Sequence, residues 1–291
     1  PGRFDRDPRI GAVALMPVFS APDGADLFFT DEGTGTPVLA LSGLTRNGSD
    51  FDYAAPHLSH VRLIRLDYRG RGKSAWTGAE TYTIPTEAGD ALALLDHLGL
   101  ETSAILGTSR GGLIAMLLGM LANERLNGVC LVDIGPELMT EGLDVIKDFI
   151  GRNPAQKTYS EATAMRASLL AGFESVPEDR WAEEVRKHYT ETPEGLKINY
   201  DPSLRDAVLA AGTQPVPDLW PMFDALEDLP LALIRGANSN LLSQATTEEM
   251  RRRRPDMIFA DVRDRGHVPF LDESASVAAL KAWTAALEAA S

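Results

Sequence analysis

Cysteine is almost missing from this 291-residue chain: Cys130 stands alone, so no intramolecular disulfide and no cysteine-built metal cluster can form. It lies in the apolar run Val129-Cys130-Leu131-Val132, where a small buried residue is expected. A single unpaired thiol fits a reducing cytoplasm, which is the expected location. Apolar runs of about 20 residues are missing too, so no membrane-spanning helix is expected. The stretch IGAVALMPVFSA at 10–21 resembles a secretory core in composition. Pro17 interrupts it, and Asp5 and Asp7 offset Arg3, Arg6 and Arg9 before it, so a first strand is the better reading. Positive charge is scarce: Lys plus Arg number 28 against 42 Asp plus Glu, a net charge of -14. An acidic surface repels phosphate backbones and anionic lipid, which argues against nucleic acid and membrane as partners. The one basic block, Arg251 to Arg254, reads as a solvated helix C-terminus, where arginine complements the negative end of the dipole. There is no internal repeat, no low-complexity stretch, no metal cluster and no dinucleotide fingerprint, so no cofactor is implied.

What is present is an alternation. Short apolar runs bounded by turn residues read as strands at Val38–Leu41, Leu63–Leu66, Ala104–Leu106, Val129–Val132, Leu231–Ile234 and Met257–Val262. Helical patterns lie between them. Residues 86–98 put Ala88, Ala91, Leu92, Leu95 and Leu98 on one face; 110–122 is apolar nearly all round; 273–288 is amphipathic, with Asp272 or Ser274 as its N-cap. Strands alternating with helices imply parallel pairing with right-handed crossovers, hence an α/β fold with a doubly wound, mostly parallel sheet. Runs near 12–19 and 26–30, separated by Pro22-Asp23-Gly24, predict an antiparallel hairpin at one edge. Residues 136–225 break the alternation: they are polar, helical and proline-rich, and too long for a loop. They are expected to form a helical cap over a core made of 1–135 and 226–291. The cap would lie above the carboxyl ends of the strands, where open α/β sheets bind ligands.

The motif Gly107-Thr108-Ser109-Arg110-Gly111 follows a strand and opens a helix. G-x-S-x-G in that setting makes a turn sharp enough to strain the serine backbone, and the flanking glycines remove the steric clash. The serine oxygen is then exposed above the sheet, beside a helix N-terminus that favours negative charge. The plainer alternative is a serine capping the start of a helix. Of the five histidines, His57 and His60 fall near the end of an early helix, His97 near the end of the helix before the nucleophile strand, and His188 in the cap. All four read as surface or structural residues. His267, in Arg265-Gly266-His267-Val268-Pro269, lies between the last strand and the last helix, at the same carboxyl edge as Ser109.

With these residues in view, the chain resembles the α/β-hydrolase superfamily over almost its whole length, in the capped branch of esterases, lactonases and C–C hydrolases. The segments that carry the likeness are LSGLTRNGSDF, LDYRGRGKS, LGTSRGG, LVDIGPEL and RGHVPFLDE. The resemblance implies Ser109 as nucleophile and His267 as the base that takes its proton and returns it to the leaving group. It implies an oxyanion hole at the backbone N–H groups of Leu44 and Arg110. Where the family has His-Gly before the first of these, this chain has Ser42-Gly43. The donors are backbone groups, so the hole should persist.

The acid is where the chain departs from the pattern. After the strand that follows the cap, the family motif resembles R-G-x-x-S-D, but the chain reads Arg235-Gly236-Ala237-Asn238-Ser239-Asn240. An amide at Asn240 cannot supply the charge that stabilises an imidazolium. Three explanations compete: the acid has moved to Asp133, a position some relatives use; Asn240 is an inactivating substitution; or the protein is a catalytically weakened relative. Asp133 also has a plainer role as a loop cap in Asp-Ile-Gly-Pro.

The serine excludes the aspartate-nucleophile chemistry of haloalkane dehalogenases and most epoxide hydrolases. It leaves hydrolysis of a small ester, lactone, thioester, amide or β-diketone C–C bond by a serine hydrolase of carboxylesterase type. Arg46 and Arg110, beside the expected oxyanion loops, are candidate ligands for a substrate carboxylate, against the alternative of salt bridges to neighbouring acids. Cap residues Arg166, Trp181, Tyr189 and Trp220 either line the pocket or hold the cap together. Two other functions remain in view: a non-hydrolytic ligand-binding relative, and a cofactor-free lyase or oxygenase using the same histidine.

Overall fold

The computed structural model describes residues 17–170, 172–214 and 217–290. The chain enters through an antiparallel pair, β1 (Val18–Ser20) and β2 (Asp26–Glu32), in which Val18 pairs with Phe28. The first strand expected near 12–19 is therefore seen only from Val18; residues 12–16 lie outside those described. Next come β3 (Pro37–Leu41), β4 (Arg62–Leu66), helix α1 (Ile84–His97), β5 (Ser103–Thr108), helix α2 (Arg110–Leu121) and β6 (Leu126–Val132). No early α-helix carries His57 and His60. Between β3 and β4 the chain makes two 3-10 turns, Gly48–Phe51 and Ala55–His57, the second with Pro56 inside it. Such turns rarely run longer than three or four residues.

The segment between β6 and the next sheet strand contains α3 (Thr140–Phe149), α4 (Tyr159–Leu169), α5 (Glu178–His188), β7 (Tyr189–Thr192), β8 (Gly195–Ile198), α6 (Leu204–Ala211) and α7 (Trp220–Asp224). It is not wholly helical, because β7 and β8 pair antiparallel around Pro193-Glu194. Thr190 and Thr192 favour extended backbone, and Gly195 takes the positive φ of 127° that the turn needs. The chain then returns through β9 (Leu231–Gly236), α8 (Gln244–Arg253), β10 (Ile258–Val262) and α9 (Ser274–Ala290).

The main sheet has the order β1-β2-β4-β3-β5-β6-β9-β10, parallel from β4 to β10. Its registers explain why the strand runs are apolar throughout. Leu39, Leu41, Ile105, Leu131 and Leu233 point into one core with α1 and α2. Their neighbours Val38, Ala40, Leu106, Cys130 and Ile234 point into a second core closed by α9, whose Leu280, Trp283 and Leu287 are buried there. A period of two with both faces covered is what a doubly wound sheet requires. Each fully buried aliphatic side chain contributes about 1.5–3 kcal/mol. Among the described residues, no helix is long and apolar enough to cross a membrane.

The basic block divides. Arg251, Arg252 and Arg253 occupy the last turn of α8. Arg254 is buried instead, donating to the carbonyls of Leu226 and Leu229 and pairing with Asp256. Asp272 does not cap α9; it pairs with Arg180 of α5 at 2.6 Å.

Candidate active site

The carboxyl ends of β3, β5, β6, β9 and β10 carry Leu44, Ser109, Asp133, Asn240 and His267 at one edge of the sheet. Ser109 follows β5 with φ 49° and ψ -111°, a conformation that costs an L-residue about 1–3 kcal/mol. Its backbone is tied on both sides: its N–H donates to the Val132 carbonyl at 3.0 Å, and its carbonyl accepts from Gly112 N at 2.9 Å. The motif glycines are required by space. A Cβ on Gly107 would stand 2.6 Å from the Gly111 carbonyl oxygen, and one on Gly111 would stand 2.0 Å from that of Leu41.

His267 lies with Nε2 3.0 Å from Ser109 Oγ and Nδ1 2.6 Å from Asp133 Oδ2. Its loop is pinned by Glu273, whose carboxylate accepts from the Phe270 and Leu271 amides and pairs with Arg265 at 2.8 Å. Asp133, fully buried just beyond β6 at φ 52°, accepts three hydrogen bonds. Gly236 N donates to Oδ1 at 2.8 Å, while Ser239 Oγ and the imidazole both reach Oδ2 at 2.6 Å. Ser239 was missed by sequence reasoning. Its hydroxyl accepts from the Leu241 and Leu242 amides, which leaves its one proton for Asp133. Asn240 is half-buried beside it, and among the described residues its side chain has no hydrogen-bond partner.

The loop after β3 runs directly past the serine: a Cβ on Gly43 would lie 3.9 Å from Ser109 Cβ and 3.3 Å from Arg46 Cγ. Among the described residues, neither the Leu44 nor the Arg110 amide has an intramolecular acceptor. The Leu44 carbonyl is held by Arg71 Nε at 2.9 Å, and the Ser42 carbonyl by Gly111 N and Tyr68 Oη. Buried Glu87 of α1 joins Arg71 and Arg110, so one carboxylate braces both loops. This occupies the Arg110 guanidinium, which also donates to the Tyr82 carbonyl, in the salt-bridge arrangement rather than one facing a ligand. Trp220 is not brought to the site: its Nε1 donates to Glu137 and its ring packs on Phe223 and under Arg253.

Arg46 does line a cavity, of about 30 Å³, that has His267 in its wall. Phe173, Trp181 and Phe270 form an aromatic side, with ring centroids 5.5–5.9 Å apart. Asp50 and Glu184 lie with Arg46 at the polar side. Of the remaining histidines, His60 hydrogen-bonds Thr284, His97 packs on Phe19 and Phe29, and His188 is buried against Arg46 and Arg166.

A strained serine after a parallel strand, a histidine after the last strand and a carboxylate between them define the arrangement of an α/β-hydrolase. A profile of the alpha/beta hydrolase family matches residues 38–280, and the chain belongs to that family. It is 31% identical to a 3-hydroxybutyrate-oligomer hydrolase of Cupriavidus necator, over 93% of this chain and 96% of that one. It is 25% identical to a 2-(acetamidomethylene)succinate hydrolase of Mesorhizobium japonicum, over 89% and 90% respectively. Among solved structures, an alpha/beta hydrolase from Novosphingobium aromaticivorans superposes with a TM-score of 0.84 at 33% identity, covering 94% of this chain and 97% of that one. These relatives support a hydrolase.

Proposed function

We propose that this chain is a serine hydrolase of small esters, with Ser109 as nucleophile, His267 as general base and Asp133 as the triad acid. The observation that carries the reading is the continuous relay from Ser109 Oγ to His267 Nε2 at 3.0 Å and from Nδ1 to Asp133 at 2.6 Å. His267 takes the Ser109 proton as Oγ attacks the ester carbonyl. The oxyanion is held by the Leu44 and Arg110 amides, which have no other acceptor among the described residues. Collapse expels the alcohol, protonated by His267, and leaves an acyl-serine. Water, deprotonated by the same imidazole, then releases the acid. Asp133 keeps the tautomer with Nδ1–H and stabilises the imidazolium. Residues 136–225 act as a cap over the core formed by 1–135 and 226–291, and the partner is a small-molecule substrate. The name of the Cupriavidus necator relative makes esters of short hydroxy acids the first compounds to try.

The test is labelling by a fluorophosphonate together with hydrolysis of short p-nitrophenyl esters, by the protein and by Ser109→Ala. Labelling and turnover that both vanish in the variant are expected. A protein that neither labels nor turns over any ester would instead be a ligand-binding relative. Activity that survives Ser109→Ala would point to lyase or oxygenase chemistry at His267.

A further inference from the structure

Beside the catalytic histidine lies a second polar cluster that the reaction above does not use. His188 is 8% exposed, and its Nδ1 accepts from Arg46 Nη1 at 3.2 Å and Arg166 Nη2 at 3.0 Å. A ring nitrogen that accepts from guanidinium carries no proton, so Nε2 carries it and is a donor. Burial and the two guanidinium charges hold this imidazole well below its usual pKa, so it stays neutral. Yet among the described residues Nε2 has no hydrogen-bond partner. It faces Glu184 Oε2 at 3.7 Å and Asp50 Oδ1 at 4.0 Å, and Arg46 Nη1 stands 3.6 Å from each of those carboxylates. Each of these donors thus faces both carboxylates at 3.6–4.0 Å, too far apart to bond directly. The separations suit a single oxygen at about 2.8 Å from its neighbours, bridging donor and acceptor. Arg46, Asp50 and Glu184 line the same cavity as His267.

We infer that this cluster is a seat for one hydroxyl group of the substrate, so that the esters this enzyme takes are those of hydroxy acids; the inference rests on the serine-hydrolase reading. A hydroxyl accepts from His188 Nε2 or Arg46 and donates to Glu184 or Asp50, satisfying both kinds of group. A carboxylate fits worse. It would place a second negative oxygen against Asp50 and Glu184, and it has no proton to give them. An alkyl chain would leave a buried donor unpaired, and such sites discriminate strongly against analogues that lack the hydroxyl.

The experiment compares kcat/KM for p-nitrophenyl 3-hydroxybutyrate, p-nitrophenyl butyrate and mono-p-nitrophenyl succinate, each checked against Ser109→Ala. The hydroxy ester is expected to be preferred over butyrate by about tenfold or more. That ratio should collapse toward one in Glu184→Leu and in Asp50→Asn, with folding verified by circular dichroism. The ratio is the readout, and Asp50→Asn replaces one carboxylate oxygen with an NH2 donor and removes the charge with little change in shape. Equal rates on the hydroxy ester and butyrate, both lost in Ser109→Ala, would mean that water alone fills the seat; the inference would fall and the hydrolase reading would stand. A preference for the succinate ester, or a hydroxyl preference unchanged in both variants, would also overturn it. Failure to cleave any of the three would take down both readings together.

Discussion

Two buried polar clusters meet at one cavity, lined by His267 of the first and by Arg46, Asp50 and Glu184 of the second, and they differ in how far their groups stand apart. Around Asp133 every contact is a direct hydrogen bond: 2.6 Å from His267, 2.6 Å from Ser239 and 2.8 Å from Gly236 N. Around His188 and Arg46 the facing carboxylates lie at 3.6–4.0 Å. Both are buried and both are held by the sheet's carboxyl-end loops and the elements over them, so burial does not separate them. Closure does. A closed network fixes a tautomer and a proton path without any ligand. An open one leaves capacity that an incoming polar group can complete. The tight cluster suits chemistry, and the loose one suits recognition.

The sharpest way to break this comparison is Asp133→Asn. The substitution keeps the shape but removes the charge and permits the wrong imidazole tautomer, so kcat should fall on the order of 10²–10⁴-fold. Ester turnover by a folded variant checks it, and unchanged turnover would leave the tight cluster without a chemical role. The loose cluster should instead show itself in stability. Burial pushes the Asp50 carboxyl up from its ordinary 3.8 to about 6, against the pull of Arg46. A raised carboxyl pKa means that the folded state resists ionisation. The cost is absent below the unfolded value, grows as pH rises toward 6 and is complete above it. Asp50→Asn should therefore stabilise the protein by about 2–3 kcal/mol near pH 7.5 and by almost nothing near pH 4. Urea midpoints at the two pH values measure this. A gain of the same size at both would show that Asp50 ionises freely.

The fold was legible because its strands announce themselves: runs of three to six mostly apolar residues, most of them ending near glycine, aspartate or serine, with helical periodicity between. The elbow was legible because steric necessity fixes Gly107 and Gly111, and His267 because position at the sheet edge singles it out from four other histidines. What could not be read was partnership across long separations. Ser239 reaches Asp133 over 106 residues, and Glu87 clamps Arg71 and Arg110 through a helix that sequence analysis described only by its apolar face. Arg110 could be read either as a substrate ligand or as a salt-bridge partner because its acid, Glu87, lies in another element. His188 looked structural because nothing local shows that two arginines take its Nδ1 and leave Nε2 open. The β7–β8 hairpin was hidden in a polar stretch with no apolar alternation.

Ser239 offers a finer cut through the tight cluster. Ser239→Ala removes one donor from a carboxylate that keeps two, so kcat should fall by about tenfold with KM nearly unchanged. Ser239→Thr, which keeps the hydroxyl, should restore the rate. An equal rate loss in Ser239→Thr would mean that the hydroxyl's bond to Asp133 is not what the reaction uses.

The smallest effect is expected where the family pattern would place the largest. Asn240 stands at the usual position of the acid, yet His267 Nδ1 already has Asp133 at 2.6 Å, and the Asn240 side chain has no hydrogen-bond partner among the described residues. A carboxylate introduced there would meet an imidazole whose donor is taken and a buried Asp133 that repels a second charge. Asn240→Asp should thus change kcat by no more than about twofold, and it should not rescue Asp133→Asn, because the Ser239 and Gly236 donors converge on the Asp133 position. The two variants, alone and combined, decide which loop supplies the acid. A gain of tenfold or more from Asn240→Asp alone would mean that the tight cluster is an inactivated remnant, and that the closed network around Asp133 serves the fold rather than the reaction.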